Sequence, residues 1–392
     1  MDLDLTGSEA EFRDELRVWL AEHLVGDFRE VVGRGGPDDD DAWEIRRAWD
    51  RELGAGNWIG VTWPTEYGGR GGTLAHEVIL QMELAAAGAP ARGAFHGETL
   101  LAPTLLSHGT EEQKLRLLHP MARGEVVWCQ GYSEPGAGSD LAGVRTKAEP
   151  TDGGWLLNGQ KIWTTFAHHA EWIFAIVRST SGSARHAGLS YMLLPIDQPG
   201  VEVRPIKTLT GDSAFNEVYF HDAFVSSENL VGEEGNGWRV AMSTLGHERA
   251  TSVLGHQFAF QREVAALHDL MKRNGTIEDP SLADRLAQAH IELDVIQSNN
   301  LRVLANATGR GEFGPESSIG KYLWSSWHQS FTSLAMDVLG NDVLLETPGD
   351  QTANELLGAY LRSRAETVYA GTTQIQLNVI SERVLGLPRE PR

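Results

Sequence analysis

The hydrophobic period of this chain changes twice, and that alone limits what it can fold into. Residues 8–24 repeat Phe12, Leu16, Trp19, Leu20 and Leu24 at three- and four-residue spacing behind Ser8, which predicts an amphipathic helix capped by that serine. The Gly/Pro-rich stretch from Trp63 to Gly72 must be a loop, and helical spacing resumes over 74–87 and 111–121. From about Val126 short β-type runs take over: Trp155–Leu157, Trp172–Val177, Leu189–Leu194, Val201–Arg204 and Glu217–Phe220, with Gly, Asp and Ser between them. Past the glycine cluster Gly232–Gly237 the helical period returns and runs to the end. The expected organisation is therefore helical over 1–125, all-β over 126–236 and helical over 237–392.

At 392 residues the chain has room for two or three structural units. Lys and Arg total 33 against 54 Asp and Glu, a formal charge of −21 that opposes binding to nucleic acid or to an anionic membrane surface. Any phosphate-bearing ligand must then be held locally. The single cysteine, Cys129, excludes an intrachain disulfide framework and a Cys-pair zinc site, which fits a reducing compartment. The first residues are acidic where a targeting peptide would be basic, and the longest apolar run, 172–177, is far too short to span a bilayer. The expected location is cytoplasmic. The acidic run Asp38–Asp41 reads as a solvated loop rather than a metal site.

Several common chemistries fail on their own terms. Gly320-Lys321 is followed by Tyr322, and Pro315 occupies the first glycine position of a phosphate-binding loop. The glycines at 232, 235 and 237 lack the alternating β/α context of a dinucleotide fold. Gly131-Tyr-Ser133-Glu-Pro135 comes near a nucleophile elbow, but proline replaces the last glycine. His168 and His169 are adjacent, so their side chains diverge and make a poor metal clamp; a turn or packing role is expected and no metal site is assigned.

The densest segment is 129–140, Cys-Gln-Gly-Tyr-Ser-Glu-Pro-Gly-Ala-Gly-Ser-Asp. Its hydroxyl and amide side chains among glycines suit either a cradle for a polar planar ligand or a tight surface turn. It is followed by Asn158-Gly-Gln-Lys-Ile-Trp-Thr-Thr165, which reads as an Asn-Gly hairpin.

Tyr132–Asp140, Asn158–Thr165 and Tyr369-Ala-Gly-Thr-Thr-Gln-Ile-Gln376, in this order and spacing, resemble the signatures of the acyl-CoA dehydrogenase family. Trp63-Pro-x-x-Tyr-Gly-Gly69 and Gly109–Lys114 extend the resemblance over nearly the whole chain. It implies a multi-domain α+β fold: a helical N-terminal domain, a middle β-barrel domain and a C-terminal four-helix bundle. It also implies FAD bound between the β domain and the bundle, oxidation of an acyl-CoA to the trans-2-enoyl-CoA, electron transfer to an electron-transferring flavoprotein, and a homotetramer or heterotetramer.

Carried over residue by residue, the resemblance places Gln130, Tyr132, Ser133, Ser139, Trp163, Thr164 and Thr165 on the flavin, with Ser139 alternatively facing the CoA arm. Thr372 and Gln374 continue the flavin contacts, while Gly371, Tyr369 and Arg249 border the substrate. Many members carry their catalytic Glu before Gly-Thr; this chain has Ala370 there. In the branch resembling isovaleryl-CoA and long-chain acyl-CoA dehydrogenases the base instead belongs to a Glu-Arg pair on a helix, matched here by Glu248-Arg249, with the Ala370 N–H donating to the thioester carbonyl. The adenosine side departs further. The expected Arg-x-x-Phe-Gly reads Arg273-Asn-Gly-Thr-Ile, and the Gln before a glycine pair reads Asp337-Val-Leu-Gly340, leaving Arg273 and Gly340 as the candidates. Those departures leave open a subunit of a mixed assembly with incomplete flavin sites, and an oxidase or monooxygenase on the same scaffold. Gly246 and Gly255, on the helix that carries Glu248, predict close packing by a neighbouring helix or by a branched, ring-bearing or long acyl group.

Overall fold

The computed structural model describes residues 7–31, 42–183, 185–310, 314–341 and 351–389, without the side chains of 248–258, 308–310 and 351. The acidic run Asp38–Asp41 and the first six residues lie outside the described residues. Two compact units result, Met1–Glu248 and Arg249–Arg392.

The first unit begins with helices α1 (Gly7–His23), α2 (Asp27–Glu30), α3 (Trp43–Ala55), α4 (Leu74–Ala87), α5 (Ala102–His108) and α6 (Glu111–Ala122). Helix α1 starts one residue ahead of Ser8, so that serine sits in the first turn rather than at the cap. Thr110 caps α6 as its sequence demands: its hydroxyl accepts from Gln113 N–H at 3.2 Å, and the Gln113 side-chain Oε1 accepts from Thr110 N–H at 3.1 Å. Helix α5 is entered through a π-helical turn, Gly97–Leu101. Neither α3 nor that turn was legible from spacing. In α3 the buried side chains include the charged Arg46, Arg47 and Asp50. The Asp50 carboxylate accepts from Arg47 at 3.0 Å, from Arg92 at 2.5 Å and from the N–H groups of Gly93 and Ala94, so the buried carboxylate of α3 is fully satisfied.

An eight-stranded sheet follows: β1 (Trp128–Gly131), β2 (Lys147–Thr151), β3 (Gly154–Thr165), β4 (Trp172–Arg178), β5 (Leu189–Pro195), β6 (Val201–Ile206), β7 (Phe215–Ser226) and β8 (Leu230–Val231). Their order is β6-β7-β3-β2-β4-β5-β8, with β1 parallel to β4. The unbroken apolar run of β4 has a simple cause, because the strand is covered on both faces. Phe174 and Ile176 join the core shared with the N-terminal helices, and Ile173, Ala175 and Val177 join the sheet's other core. Each of these but Ala175 contributes about 1.5–3 kcal/mol on burial. The Asn158-Gly159 hairpin expectation is corrected. These residues lie inside β3, opposite a register shift against β7, and the β2–β3 turn is made by Asp152-Gly153, with Gly153 at φ 76°. Asn158 instead bonds Asp222 across the ladder, at 2.7 Å and 3.0 Å.

Helix α7 (Gly237–Asn274) contains the boundary between the units. The second unit packs its later turns with α8 (Pro280–Arg310), α9 (Ser317–Leu339) and α10 (Gln351–Glu366), followed by α11 (Thr373–Val379). Phe260, Val264, Leu267 and Met271 on α7, Leu286, Ala289, Leu293 and Ile296 on α8, and Trp324, Trp327, Phe331 and Leu334 on α9 alternate by three and four residues. With Leu356 of α10 they form one four-helix core. Among the described residues no helix is long and apolar enough to cross a membrane.

Candidate active site

In the first unit the structure gathers the Tyr132–Ser139 loop and the end of β3. Gln130 lies on β1, where the backbone pairs with β4. Tyr132 is buried with its ring edge-on to Phe174 and Tyr191. The loop then closes on itself through reciprocal bonds between Glu134 and Ala137 at 3.0 and 2.9 Å. Ser133 is half-buried and Ser139 is exposed.

What fixes this loop is a pair that sequence reasoning quoted without assigning it a role. Lys161 Nζ, fully buried, donates to Glu134 Oε1 at 2.9 Å, to Tyr132 O at 3.2 Å and to Ile176 O at 2.7 Å. Glu134 in turn accepts from Arg145 N–H at 2.6 Å and Thr146 N–H at 2.9 Å. Burial works against the charge on Glu134, yet Lys161 and these donors hold its carboxyl below the usual range; burial also lowers Lys161 more than Glu134 raises it. A lysine in an Asn-Gly-Gln-Lys segment looks solvated, and only the fold shows it enclosed. The Ile162 N–H bond to Ser133 O, 3.0 Å, completes the attachment of loop to strand.

Immediately beyond Lys161 the β3–β7 register slips, and Trp163 takes φ +59°, in the left-handed region that costs a non-glycine residue about 1–2 kcal/mol. The consequence is a reversal of facing. Trp163 is 57% exposed, while Thr164 is fully buried and its Oγ1 has no hydrogen-bond partner among the described residues. Gln130 Nε2 is likewise buried and has no partner among the described residues. Buried polar atoms are nearly always satisfied, so two orphans beside a clamped loop and a strained strand mark a place built for a polar ligand. His168 and His169, by contrast, lie in the following turn; His169 stacks on Trp43 at 4.0 Å and His168 bonds Asn216.

The start of α7 is keyed to α5 by hydroxyls: Thr244 Oγ1 meets Thr104 Oγ1 at 2.8 Å and the Tyr191 hydroxyl at 3.4 Å. Thr244 precedes Glu248 by one helical turn. Both Glu248 and Arg249 are helical, but their side chains lie outside the described residues, as do the surroundings of Gly255. At Gly246 an added Cβ would meet no described atom within 4 Å.

In the second unit the Tyr369–Thr372 segment is a strained turn. Ala370 has φ +51° and Gly371 φ +89°. Gln376 Nε2 donates to Ala370 O at 3.0 Å, and a Cβ on Gly371 would lie 2.4 Å from that nitrogen, so only glycine fits. Thr372 caps α11 by accepting from Ile375 N–H at 3.2 Å, half-buried, whereas Gln374 is exposed. Arg273 is exposed at the end of α7, and Gly340 ends α9 at φ +59°. Asp337, where a Gln was sought, is engaged by Arg285 at 2.6 Å. A cavity of about 590 Å³ between α8, α9 and α10 is lined by Arg285, Gln288, Trp327, Gln329 and Arg364 among others. Among the described residues no group of three or more His, Cys, Asp or Glu is placed to hold a metal ion.

Helical domain, β sheet and bundle, with motif loops strained in the middle and C-terminal parts, define a flavoprotein dehydrogenase architecture. Three family models match: acyl-CoA dehydrogenase N-terminal domain over 6–125, middle domain over 129–223 and C-terminal domain over 235–385. The chain belongs to the acyl-CoA dehydrogenase family of FAD-dependent oxidoreductases. It is 47% identical to acyl-CoA dehydrogenase IpdE1 of Mycolicibacterium smegmatis, over 97% of this chain and 98% of that protein. Among solved structures it resembles the Tcur3481-Tcur3483 steroid ACAD (TM-score 0.84, 28% identity, all of both chains). It also resembles the ChsE4-ChsE5 complex from Mycobacterium tuberculosis (TM-score 0.82, 30% identity, 99% of this chain and 100% of that one). The orphaned Thr164 and Gln130 atoms fit the family's cofactor, whose isoalloxazine has a polar edge of hydrogen-bonding N and O atoms.

Proposed function

We propose that this chain catalyses α,β-dehydrogenation of an acyl-CoA thioester to the trans-2-enoyl-CoA, with Glu248 as base and an electron-transferring flavoprotein as electron acceptor. The observation that carries the reading is the Ala370–Gly371 turn: strained, pinned by Gln376, and bearing an alanine where a carboxylate would otherwise serve. FAD, when bound, supplies the hydride acceptor at N5.

Glu248 takes the α-proton as hydride leaves the β-carbon, and the Ala370 N–H donates to the thioester carbonyl, where negative charge develops. Gly371, with no Cβ, admits the thioester to the backbone, and Tyr369 and Arg249 border it. Gln130, Tyr132, Ser133, Trp163, Thr164 and Thr165 hold the ring side of FAD, joined by Thr372 and Gln374; Ser139 faces the ring or the CoA arm. Arg273 and Gly340 serve the adenosine side. A bulky, ring-bearing acyl group is the substrate class suggested by the relative titled a steroid ACAD.

A mixed tetramer is the second reading. It is favoured by the engagement of Asp337 with Arg285 at the adenosine side and by the relative solved as the ChsE4-ChsE5 complex. The test is anaerobic titration with acyl-CoAs of graded length and ring content. The wild-type flavin bleaches, whereas Glu248→Gln keeps its flavin and stays yellow. Undiminished bleaching by Glu248→Gln refutes the base assignment, and stoichiometric FAD in the chain expressed alone counts against the mixed assembly.

A further inference from the structure

We infer that His328, acting through Glu366, is a positioning residue for the Ala370–Gly371 turn. The inference rests on the proposed role of that turn as the donor to the thioester carbonyl. His328 lies on α9, 4% exposed, between two carboxylates. Its Nδ1 meets Glu366 Oε2 at 2.7 Å and Oε1 at 2.9 Å, and its Nε2 meets Glu263 Oε2 of α7 at 2.8 Å. Carboxylates only accept, so both ring nitrogens donate and the ring is an imidazolium.

Glu366 ends α10 and stands four residues before Ala370. Its side chain is held by His328 and its carbonyl accepts from the buried Lys321 Nζ, which also lies 5.4 Å from the Tyr369 ring centroid. From the next residue of α9, Gln329 Nε2 donates to Ser363 O at 2.9 Å and Thr367 Oγ1 at 3.0 Å. The Thr373 N–H then reaches back to Thr367 O at 2.9 Å, closing the turn on the same residue. The segment from Glu366 to Thr373 is thus fixed at its entry by α9 side chains and at its exit by Gln376.

The protonated ring answers the two carboxylates that hold it, one at each nitrogen. The charged groups facing it are Glu263 on α7, Lys321 on α9 itself, and Glu366 and Arg364 on α10; Arg364 bonds Gln329 O at 3.0 Å. From α8, Asp284, Arg285 and Glu292 line the cavity that Trp327 and Gln329 border. Helix α11, which also packs on α9, carries no ionisable side chain. Burial disfavours the charged ring, but Glu263 and Glu366 outweigh it and push His328 up to about 9.

The test uses the holoenzyme and the trans-2-enoyl-CoA of the acyl group that bleaches the flavin in the titration above, labelled with carbon-13 at the thioester carbonyl, whose infrared stretch reads the hydrogen bonds it accepts. An Asn amide mimics the Nδ1 donor and a Gln amide the Nε2 donor, so His328→Asn keeps the link to Glu366 while His328→Gln keeps only that to Glu263. In the wild type the stretch is lowered relative to solution. In His328→Gln it returns toward the solution value and kcat falls about tenfold with KM little changed, while His328→Asn stays near wild type. Equal effects of the two variants, or no effect of His328→Gln, overturn the inference. If neither variant folds, the wild type decides: its stretch must drift toward the solution value between pH 7 and 10, and constancy overturns the inference. A wild-type stretch that equals the solution value removes the proposed role of the turn and the inference with it, whereas a lowered stretch indifferent to His328 removes the inference alone.

Discussion

Replacing Lys161 by methionine should destabilise the first unit far more than a surface lysine would. The substitution keeps an unbranched side chain of similar length and removes three hydrogen bonds, to Glu134 Oε1, Tyr132 O and Ile176 O, of 2.9, 3.2 and 2.7 Å. Glu134 keeps only the N–H groups of Arg145 and Thr146. With side chains exposed by 0% and 9%, the pair has almost no water to replace the lost cation. Breaking a buried pair by removing one partner costs about 3–5 kcal/mol, against about 0–1 kcal/mol for an exposed one. At about 2–4 °C per kcal/mol for a unit of this size, the midpoint should fall by roughly 6–20 °C. Thermal unfolding followed by tryptophan fluorescence reads this directly. The double variant Lys161→Met/Glu134→Gln removes the stranded charge and should regain part of the loss. A single variant that loses less than about 1 kcal/mol, or a double variant no more stable than the single, refutes the view that this pair anchors the loop.

Two further expectations follow from buried polar groups. Because the Thr164 hydroxyl has no partner among the described residues, Thr164→Val should leave the unfolding of the flavin-free protein within about 1 kcal/mol of wild type while weakening FAD retention; unchanged FAD affinity measured by flavin fluorescence contradicts the placement of Thr164 on the cofactor. His328 gives a pH dependence with a defined sign. Its folded-state value, about 9, lies above the ordinary 6.5, so its contribution, up to about 3 kcal/mol, is fully present below pH 6.5 and is lost as pH rises through 9. Denaturant unfolding of wild type and His328→Gln at pH 6 and pH 10 should therefore converge at the higher pH, and parallel profiles contradict the buried imidazolium.

The order helical, β, helical was legible in the chain itself, because burying one face of a helix or both faces of a strand imposes periods that composition cannot disguise. Helix α4 over 74–87 and strand β4 over 172–178 fall where their spacing placed them. Helix α3 was not legible, since its buried face includes Arg46, Arg47 and Asp50, and a satisfied charge inside looks like a solvated charge outside until its partners are in place. Asn158-Gly159 misled for a related reason: an Asn-Gly pair favours a turn, but the β7 ladder and Asp222 held it in the strand.

At the site, the sequence by itself determined which residue types were present: the three motif segments, and at position 370 an alanine, which has no group to accept a proton. Only the tertiary structure decided how those residues are held. It encloses Lys161 against Glu134, turns Trp163 outward and Thr164 inward at a register slip, and braces the Ala370–Gly371 turn with Gln376 and the charges around His328. These are contacts between residues distant in the chain, and their strength comes from the exclusion of water, a property no local stretch of sequence carries.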